Sequence, residues 1–411
     1  MLQIAHPGER AAVAAADAAL SLARVARRRR QRPPAGEIRR VLVLRLERVG
    51  DLLMSLPALY ALRQYVPRAR IDLVVGSWNE SLARQIEGVE TVEVMNAPWL
   101  ARDAGGAGWP ALLRQANRWR ARQYDLALNL EGDIRSNILM SRAGARWSAG
   151  FGMAGGGPLL DDDVRFDPGS HTAVNGVRLI ATACGERPGR QAWPEEGLAA
   201  AIRLPQAKLV IPPAAQAEAD ALLNAVLRAA PDRPSVGLHI GAGRAVKEWP
   251  ASRMAEVGAW AVRERGAAIV LTGSAADRAP ADEVRRALPS DAAVIDTVGG
   301  APLLTLAALL SRLSLFITPD TGPMHLAAAV GAPLVALFGP SSPERWGPLS
   351  ARARVVRVDL PCSPCNRIRN PPARCQGHTP DCMDAVTVRD VIGAAASLLP
   401  APGPGETRGA R

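Results

Sequence analysis

The sequence predicts an α/β protein with two doubly wound, Rossmann-like sheets that face each other across a cleft. Three observations favour this fold class. The chain has 411 residues, which is more than one hydrophobic core organises and suits two domains. Short apolar runs alternate with segments of helical periodicity in both halves. Glycine-containing turns follow several of those runs, at the positions where open α/β sheets bind ligands.

The first half contains the strands of the first predicted sheet. The apolar run RRVLVLRL occupies 39–46, and the leucines that recur at helical spacing from Leu52 up to Pro67 predict a helix. Because the runs are continuous rather than alternating, they favour a parallel sheet covered on both faces. Further strands are expected at 71–76, 91–95 and 124–130, with helices near 110–121 and 172–184.

The second half repeats the same alternation and predicts a second sheet. Prolines 205, 212 and 213 mark the join between the halves. Strands are expected at 235–240, 267–273, 293–296, 313–318 and 332–339, with helices near 251–265, 279–288, 302–312 and 323–330. The predicted division is an Ala/Arg-rich arm at 1–38, an N-terminal domain at 39–204, a linker at 205–234, a C-terminal domain at 235–399 and a disordered tail at 400–411.

The charge is concentrated at the termini. The formal net charge is +11, and residues 1–40 carry nine arginines against three acidic residues. A nucleic-acid-binding protein would place its basic stripe on the folded domain, so no nucleic-acid partner is expected. Apolar residues make up 48% and charged residues 22% of the chain, which excludes a collagenous, coiled-coil or wholly disordered protein.

The arm at 1–38 has two open interpretations. It can form a helix with Leu20, Leu22 and Val25 near one another and arginines behind them, which would allow contact with anionic lipid. It can equally be a solvated extension. A secretion signal has its positive region first and its apolar region second, whereas in this arm the apolar region comes first. No strongly apolar stretch of the sequence is long enough to span a bilayer. We therefore expect a cytoplasmic protein, with the arm as a candidate peripheral contact to the inner membrane.

The turn after the first strand holds the first chemical candidate. Gly50 allows a tight turn, and Asp51 then begins a helix at the carboxyl edge of the sheet. Asp51 can act as a general base that accepts a proton from a hydroxyl. It can also be an ordinary helix cap, because aspartate satisfies free amides there, and the two roles can coexist.

A glycine-rich loop follows the strand at 235–240. Gly241 and Ala242 expose backbone amides that can cradle an anion. Lys247 can add a mobile positive charge on a phosphate oxygen. Only two of the 50 basic residues are lysines, and Lys247 is one of them, although a surface lysine on a loop would have the same sequence.

The segment from Thr318 to His325 carries the strongest signal. It joins a predicted strand to a helix whose first turn contains Thr321, Gly322 and Pro323, so the positive end of the helix dipole faces a ligand. Asp320 can accept hydrogen bonds from sugar hydroxyls, and His325 lies one turn into the helix. Turn and cap chemistry alone is the alternative interpretation. P-loop, His-Glu-x-x-His and G-x-S-x-G motifs are absent from the sequence.

The sequence does not require a metal. Four late cysteines, Cys362, Cys365, Cys375 and Cys382, have the spacing C-x2-C-x9-C-x6-C, which is looser than that of a zinc ribbon. The run Asp161–Asp163 can bind a cation weakly, but a solvated loop is the simpler interpretation. A metal at the cysteines is the weaker of two alternatives, the other being buried thiols.

These motifs, in this order, resemble glycosyltransferase family 9, the heptosyltransferases of lipopolysaccharide core assembly. The resemblance covers 39–395 and is carried by 41–63, 237–250, 270–278 and 317–348, and the cysteine cluster is also similar. It implies a GT-B fold, in which the N-terminal domain receives the acceptor and the C-terminal domain holds the nucleotide sugar. Glu47 and Arg48 are bulkier than the family's usual residues, and the arm lies outside its pattern.

The resemblance also implies roles for individual residues. Asp51, beside Gly50 on the acceptor side, matches the family's general base, and Lys247 matches the lysine that contacts the donor diphosphate. The donor-binding residues it implies are Gly241, Ala242, Lys247, Asp277, Asp320, Thr321, Gly322 and His325, with Asp277 the loosest match.

The implied reaction is an inverting transfer of heptose from ADP-heptose to a lipid A–sugar acceptor at the inner membrane, with no cofactor beyond the ADP-sugar donor. Transfer of another nucleotide sugar to a cell-envelope glycan remains open, as do a nucleotide-sugar epimerase and a non-catalytic sugar-nucleotide-binding protein. The acceptor, the linkage and the oligomeric state are also open.

Overall fold

The computed structural model describes residues 7–25, 31–100, 107–185, 197–228, 230–368 and 370–400. The chain divides into two compact units, Met1–Val210 and Ile211–Arg411. The run of arginines within 26–30 and nearly all of the tail expected at 400–411 lie outside the described residues.

Unit 1 contains a parallel sheet of six strands in its described part, in the order β3-β2-β1-β4-β5-β6. The strands are β1 (Arg40–Arg45), β2 (Arg70–Val75), β3 (Thr91–Val94), β4 (Leu126–Asn129), β5 (Trp147–Gly150) and β6 (Asp162–Asp163). The strand order reverses direction beside β1, and in such sheets the crevice at the reversal is where ligands bind. Leu44 pairs with Asn129, and Asn129 pairs with Gly150, so the loops after β1, β4 and β5 begin at the same edge.

The helices of unit 1 cover both faces of this sheet. They are α1 (Pro7–Val25), α2 (Val49–Leu53), α3 (Leu56–Tyr65), α4 (Glu80–Ala83), α5 (Trp109–Arg118), α6 (Ile134–Ser141), α7 (Thr172–Ala183) and α8 (Gly197–Ile202). The single helix expected between Leu52 and Pro67 is two helices. Pro57 lies in the first turn of α3 and has no N–H to continue α2, so a break falls at Met54 and Ser55.

Unit 2 contains a second parallel sheet, with six strands among its described residues in the order β12-β11-β10-β7-β8-β9. The strands are β7 (Ser235–His239), β8 (Ala268–Thr272), β9 (Val294–Asp296), β10 (Leu315–Pro319), β11 (Leu334–Leu337) and β12 (Ala353–Val356). Its helices are α9 (Pro213–Leu227), α10 (Ala251–Arg265), α11 (Arg278–Ala287), α12 (Leu303–Arg312), α13 (Gly322–Ala329), α14 (Pro343–Trp346), α15 (Asp381–Asp384) and α16 (Val388–Leu398). Two doubly wound sheets confirm the predicted α/β class.

The segment expected as a linker at 205–234 contains α9. This helix packs on α12, where Arg312 forms an ion pair with Asp220 and Thr305 donates a hydrogen bond to Glu218 at 2.5 Å. Helix α9 therefore packs as part of unit 2. Strand β12 and helix α16, which also pack together in unit 2, follow the last strand that the sequence predicted.

The N-terminal arm is folded onto unit 1 where it is described. Helix α1 packs against the turn Gly157–Leu159. Further along, Arg32 pairs with Asp162 at 2.6 Å and stacks on the Trp147 ring. The residues Pro7–Val25 form a helix, as the sequence allows, and contact of the arm with lipid stays a prediction. No helix in the described ranges is both long and apolar enough to cross a membrane.

Candidate functional site

Asp51 lies in the first turn of α2, at the carboxyl edge of the unit 1 sheet. Its carboxylate accepts the Arg48 N–H at 3.1 Å, so it stabilises the start of the helix as a capping residue does. The side chain is still 27% exposed, which leaves it accessible to a ligand. Ser55 donates to the Asp51 carbonyl at 2.9 Å and fixes the other end of the turn. Capping and a chemical role are both compatible with this geometry.

Arg45, the last residue of β1, is the buried cation beside Asp51. Its Nε donates to the Asp51 carbonyl at 3.0 Å, and its Nη2 lies 3.8 Å from Asp51 Oδ1. Its Nη1 donates to Glu47 Oε2 at 2.9 Å and to the Leu130 carbonyl at 2.6 Å. The sequence did not point to Arg45, because an arginine in an apolar strand does not show which backbone carbonyls its side chain will bind.

Glu131 is a second residue that the sequence did not single out. It lies two residues after the end of β4, is buried, and accepts the backbone N–H of Leu46, at the start of the turn that carries Asp51. Burial raises the pKa of Glu131 to about 7, although Arg45 and the Leu46 hydrogen bond act in the opposite direction. Its position directly after a predicted strand was the available signal.

The donor-side candidates gather at the carboxyl edge of the unit 2 sheet. Lys247 Nζ lies 2.5 Å from Asp320 Oδ2 and 3.3 Å from the Asp320 carbonyl. Ser341 also donates to Asp320 Oδ2. The Asp320 side chain is 6% exposed and that of Lys247 is 17% exposed, so the pair is largely shielded from water. The structure thus brings together residues that stand 73 positions apart in the chain.

The turn that follows β10 leads directly into helix α13. Thr321 is the residue before α13 and has an extended backbone, but its side chain makes no capping hydrogen bond to the helix. Its hydroxyl instead lies 3.2 Å from that of Thr318. Gly322 and Pro323 form the first turn of α13, and His325 is buried within the helix.

Gly241 and Asp277 lie against each other in unit 2. A Cβ at Gly241 would fall 1.9 Å from Asp277 Oδ1, so only glycine fits there. Asp277 Oδ2 accepts two hydrogen bonds from Ser274, each at 2.7 Å. The Asp277 carboxylate therefore closes the turn after β8 and also packs against Gly241 in the glycine-rich loop.

Two further titratable side chains belong to the same loop region. Burial raises the pKa of Glu248 and the Asp277 charge adds to the rise, while the nearby Ala242 backbone acts in the opposite direction. His239, at the end of β7, lies 3.0 Å from Thr272 Oγ1, and burial lowers its pKa to about 4.

Comparison with known proteins identifies the family. Residues 112–374 match the model of "Glycosyltransferase family 9 (heptosyltransferase)", which covers more than half of the chain. The chain belongs to glycosyltransferase family 9. This confirms the resemblance inferred from the motifs, and it confirms that the protein is a glycosyltransferase rather than a non-catalytic binding protein.

Similar family 9 proteins align along most of this chain. Lipooligosaccharide heptosyltransferase 2 of Haemophilus influenzae is 28% identical over 331 residues, which are 77% of this chain and 88% of the relative. Lipopolysaccharide heptosyltransferase 2 of Salmonella typhimurium is 29% identical, covering 78% of this chain and 88% of the relative. The structure of ADP-heptose LPS heptosyltransferase II from E. coli superposes with a TM-score of 0.69 at 24% identity, over 88% of this chain and 98% of that one. That likeness supports the GT-B fold.

The acidic run and the late cysteines of this family 9 chain differ in how they are used. Asp161 accepts from Ser148 and Asp163 from Gly152, so the Asp161–Asp163 run is used in holding loops. The four late cysteines are free thiols, and burial raises the pKa of Cys382 to about 11. Among the residues described, no group of three or more His, Cys, Asp or Glu side chains is placed to hold a metal ion.

Proposed function

We propose that this glycosyltransferase is an inverting heptosyltransferase that moves a heptose from ADP-heptose to the lipid A–sugar core of lipopolysaccharide. The observation that carries the proposal is the alignment of more than three quarters of the chain with lipopolysaccharide and lipooligosaccharide heptosyltransferases over 88% of their own length. Family membership alone leaves the donor sugar open, and these relatives favour heptose.

Asp51 is proposed as the general base. Its partly exposed carboxylate removes the proton from an acceptor hydroxyl, and the oxygen so formed attacks the anomeric carbon of the donor from the face opposite the ADP. The new glycosidic C–O bond forms as the bond to the diphosphate oxygen breaks. ADP departs with the bonding electron pair, and the proton remains on Asp51. Arg45 positions the turn through its hydrogen bond to the Asp51 carbonyl.

Lys247 is proposed as the group that stabilises the departing diphosphate. Its ammonium is paired with Asp320 and lies at the carboxyl edge of the unit 2 sheet. A diphosphate carries more negative charge than one carboxylate, so it competes with Asp320 for the ammonium. The backbone amides at the start of α13 supply further hydrogen bonds to the same anion.

This arrangement would neutralise ADP without a metal, because a lysine and helix amides already oppose its charge. The residues proposed to hold the nucleotide sugar are Gly241, Ala242, Asp277, Asp320, Thr321, Gly322 and His325. Asp320, once released from Lys247, can accept hydrogen bonds from sugar hydroxyls, and Asp277 is proposed near the ribose.

The acceptor is proposed to be a lipid-linked saccharide, met at the cytoplasmic face of the inner membrane. Support comes from the charge at the N-terminus, where residues 27–30 are four consecutive arginines. Such a cluster is attracted to anionic lipid headgroups by about 1 kcal/mol per residue near the surface. The proposed membrane contact is therefore peripheral and dependent on salt.

The decisive experiment measures the nucleotide released from two donors. Purified protein is incubated with ADP-heptose or UDP-glucose, each with and without a deacylated core acceptor. Release of ADP that requires both ADP-heptose and the acceptor supports the proposal. Release from UDP-glucose alone overturns the donor assignment and favours transfer of another sugar to an envelope glycan.

A further inference from the structure

Helix α1 is anchored to the loop that follows β5. The Asp17 carboxylate accepts the backbone N–H of Gly156 at 2.7 Å, although the two residues are 139 positions apart. The helix also packs against Gly157–Leu159. A charge-assisted hydrogen bond of this length holds the loop more firmly than packing of small side chains would. The helix and the loop are therefore one structural element.

Two adjacent glycines form the surface that α1 meets. Gly155 has φ +95° and Gly156 has φ +79°, a conformation that side chains rarely adopt. A Cβ at Gly155 would lie 2.3 Å from Val13 Cγ1, so the helix occupies the space that a side chain would need. The contact thus depends on glycine at this position.

The charge of Glu9, near the beginning of α1, acts on Arg135 of α6. Arg135, in the first turn of α6, forms an ion pair with Asp133 at 2.6 Å and stacks on the Trp99 ring. The hydrogen bond to Asp133 raises the pKa of Arg135, and the Glu9 charge on α1 adds to this rise. The Glu9 charge is therefore complementary to that of Arg135, and the hydrogen bond of Asp17 fixes α1 to the loop.

Buried polar side chains connect this loop to the turn that holds Asp51. Asn137 donates to the Gly155 carbonyl at 3.1 Å and to the Phe151 carbonyl at 3.2 Å, and it accepts from Asn129 at 2.7 Å. The other end of the Asn129 side chain accepts the Glu131 N–H at 3.1 Å.

The Glu131 carboxylate completes the connection by accepting from Leu46, five residues before Asp51. Each of these side chains is buried, and each bond belongs to the same edge of one sheet. The loop, the network and the turn with Asp51 are therefore held in one arrangement.

We propose that α1 is a positioning element of the acceptor site: by holding the loop 151–157 through Asp17, it sets the surface on which the saccharide acceptor lies beside Asp51. This rests on the proposed function. The helix precedes residues 39–395, over which the sequence resembles the family. The donor residues of unit 2 take no part in it.

The test compares three variants with the native chain in transfer to a deacylated, water-soluble core acceptor. Asp17→Ala removes the acceptor of the Gly156 N–H, whereas Asp17→Asn keeps an oxygen that can accept it. Leu22→Ala is the matched control on the same helix, because Leu22 is 77% exposed. The acceptor KM, kcat, the ADP dissociation constant and the melting temperature are measured for each.

We expect Asp17→Ala to raise the acceptor KM about tenfold, as the loss of one hydrogen bond to a charged group implies. The ADP dissociation constant and the melting temperature should change little, and Asp17→Asn should restore most of the lost affinity. An acceptor KM within twofold of the native value overturns the inference. So does a defect that occurs only with lipid-embedded acceptor in anionic vesicles, because α1 would then act through the membrane.

Failure of the proposed function would look different. The native chain would then release no ADP from ADP-heptose with the acceptor, before any variant is compared. Deletion of residues 1–25 provides a second check on the inference: an acceptor KM that rises while ADP binding persists supports the positioning role. A deletion variant that transfers as the native chain does would overturn it.

Discussion

Lys247 and Asp320 form a 2.5 Å ion pair at the carboxyl edge of the unit 2 sheet, and Asp320 is further held by Ser341. Both side chains are mostly shielded from solvent, so their mutual attraction is screened less than that of a surface pair. The ion pair with Asp320 holds the Lys247 ammonium in a fixed position in the absence of a donor. It also keeps a buried carboxylate neutralised.

The first prediction concerns the charge of Lys247. Lys247→Ala should lower kcat/KM about 100-fold or more, because the departing diphosphate loses a stabilising cation. Steady-state release of ADP measures the effect. Lys247→Arg is the matched variant. If it retains full activity, the site needs only a positive charge, and the shape and length of the lysine side chain beside Asp320 do not matter for transfer.

The second prediction concerns Asp51 as a base. Asp51→Asn keeps the shape of the side chain and an oxygen that can accept the Arg48 N–H, but it removes proton acceptance. We expect kcat to fall by about 100-fold to 10,000-fold, with a melting temperature close to that of the native chain. Near-native turnover of this variant would refute the base assignment and leave Asp51 as a capping residue.

The third prediction uses the contact between Gly241 and Asp277. Gly241→Ala places a Cβ 1.9 Å from Asp277 Oδ1, so the loop must move. We expect the free energy of unfolding to fall by about 1–3 kcal/mol, as overpacking generally costs, and ADP to bind more weakly. Urea unfolding and calorimetric titration with ADP measure the two effects.

The control for Gly241 is Gly300, where an added Cβ would meet no atom within 4 Å. Gly300→Ala should leave both the unfolding free energy and ADP binding near their native values. Equal effects of the two substitutions would show that general backbone stiffening, rather than the Asp277 contact, is responsible.

The fourth prediction concerns the pH dependence contributed by Glu131. Burial raises its pKa from 4.5 to about 7, so between these values the folded chain binds more protons than the unfolded chain. This contribution to stability is complete below pH 4.5 and is lost as the pH rises to 7. Glu131→Gln removes the titration while its amide oxygen can still accept from Leu46.

The measured quantity is the difference in unfolding free energy between Glu131→Gln and the native chain. It should shift in favour of the variant by about 1–3 kcal/mol between pH 4.5 and 7 and stay constant above that. His239 does not disturb the comparison. Its lowered pKa of about 4 makes stability fall as the pH drops below 6.5, but it does so in both proteins. A difference that does not vary with pH would contradict the prediction.

Much of the fold could be predicted from the sequence because parallel strands and their covering helices leave strong apolar patterns. The linker was harder to interpret. Prolines 212 and 213 indicate a break, yet proline is well suited to the first turn of a helix, and α9 begins at Pro213. The alanine-rich sequence of α9 has little hydrophobic periodicity, so nothing in it argued against a linker.

The candidate site could be predicted only in part. Asp51, Lys247 and Asp320 each follow a predicted strand, so the topology of a parallel sheet places them at carboxyl edges. The burial of Glu131 and Arg45, by contrast, depends on how β1 and β4 pair and on the turn that closes over them. The close approach of Gly241 to Asp277 depends on two loops that are distant in sequence. No local pattern records such contacts.

The contact between Val13 and Gly155 also has an evolutionary consequence. A chain that carries α1 must keep glycine at this position, whereas a chain without the helix is relieved of the steric part of that constraint. Gain or loss of the helix and substitution of the glycine should therefore be inherited together. Among homologues, a residue other than glycine at position 155 would then report that such a helix is absent, even in sequences too divergent at their N-termini to be aligned.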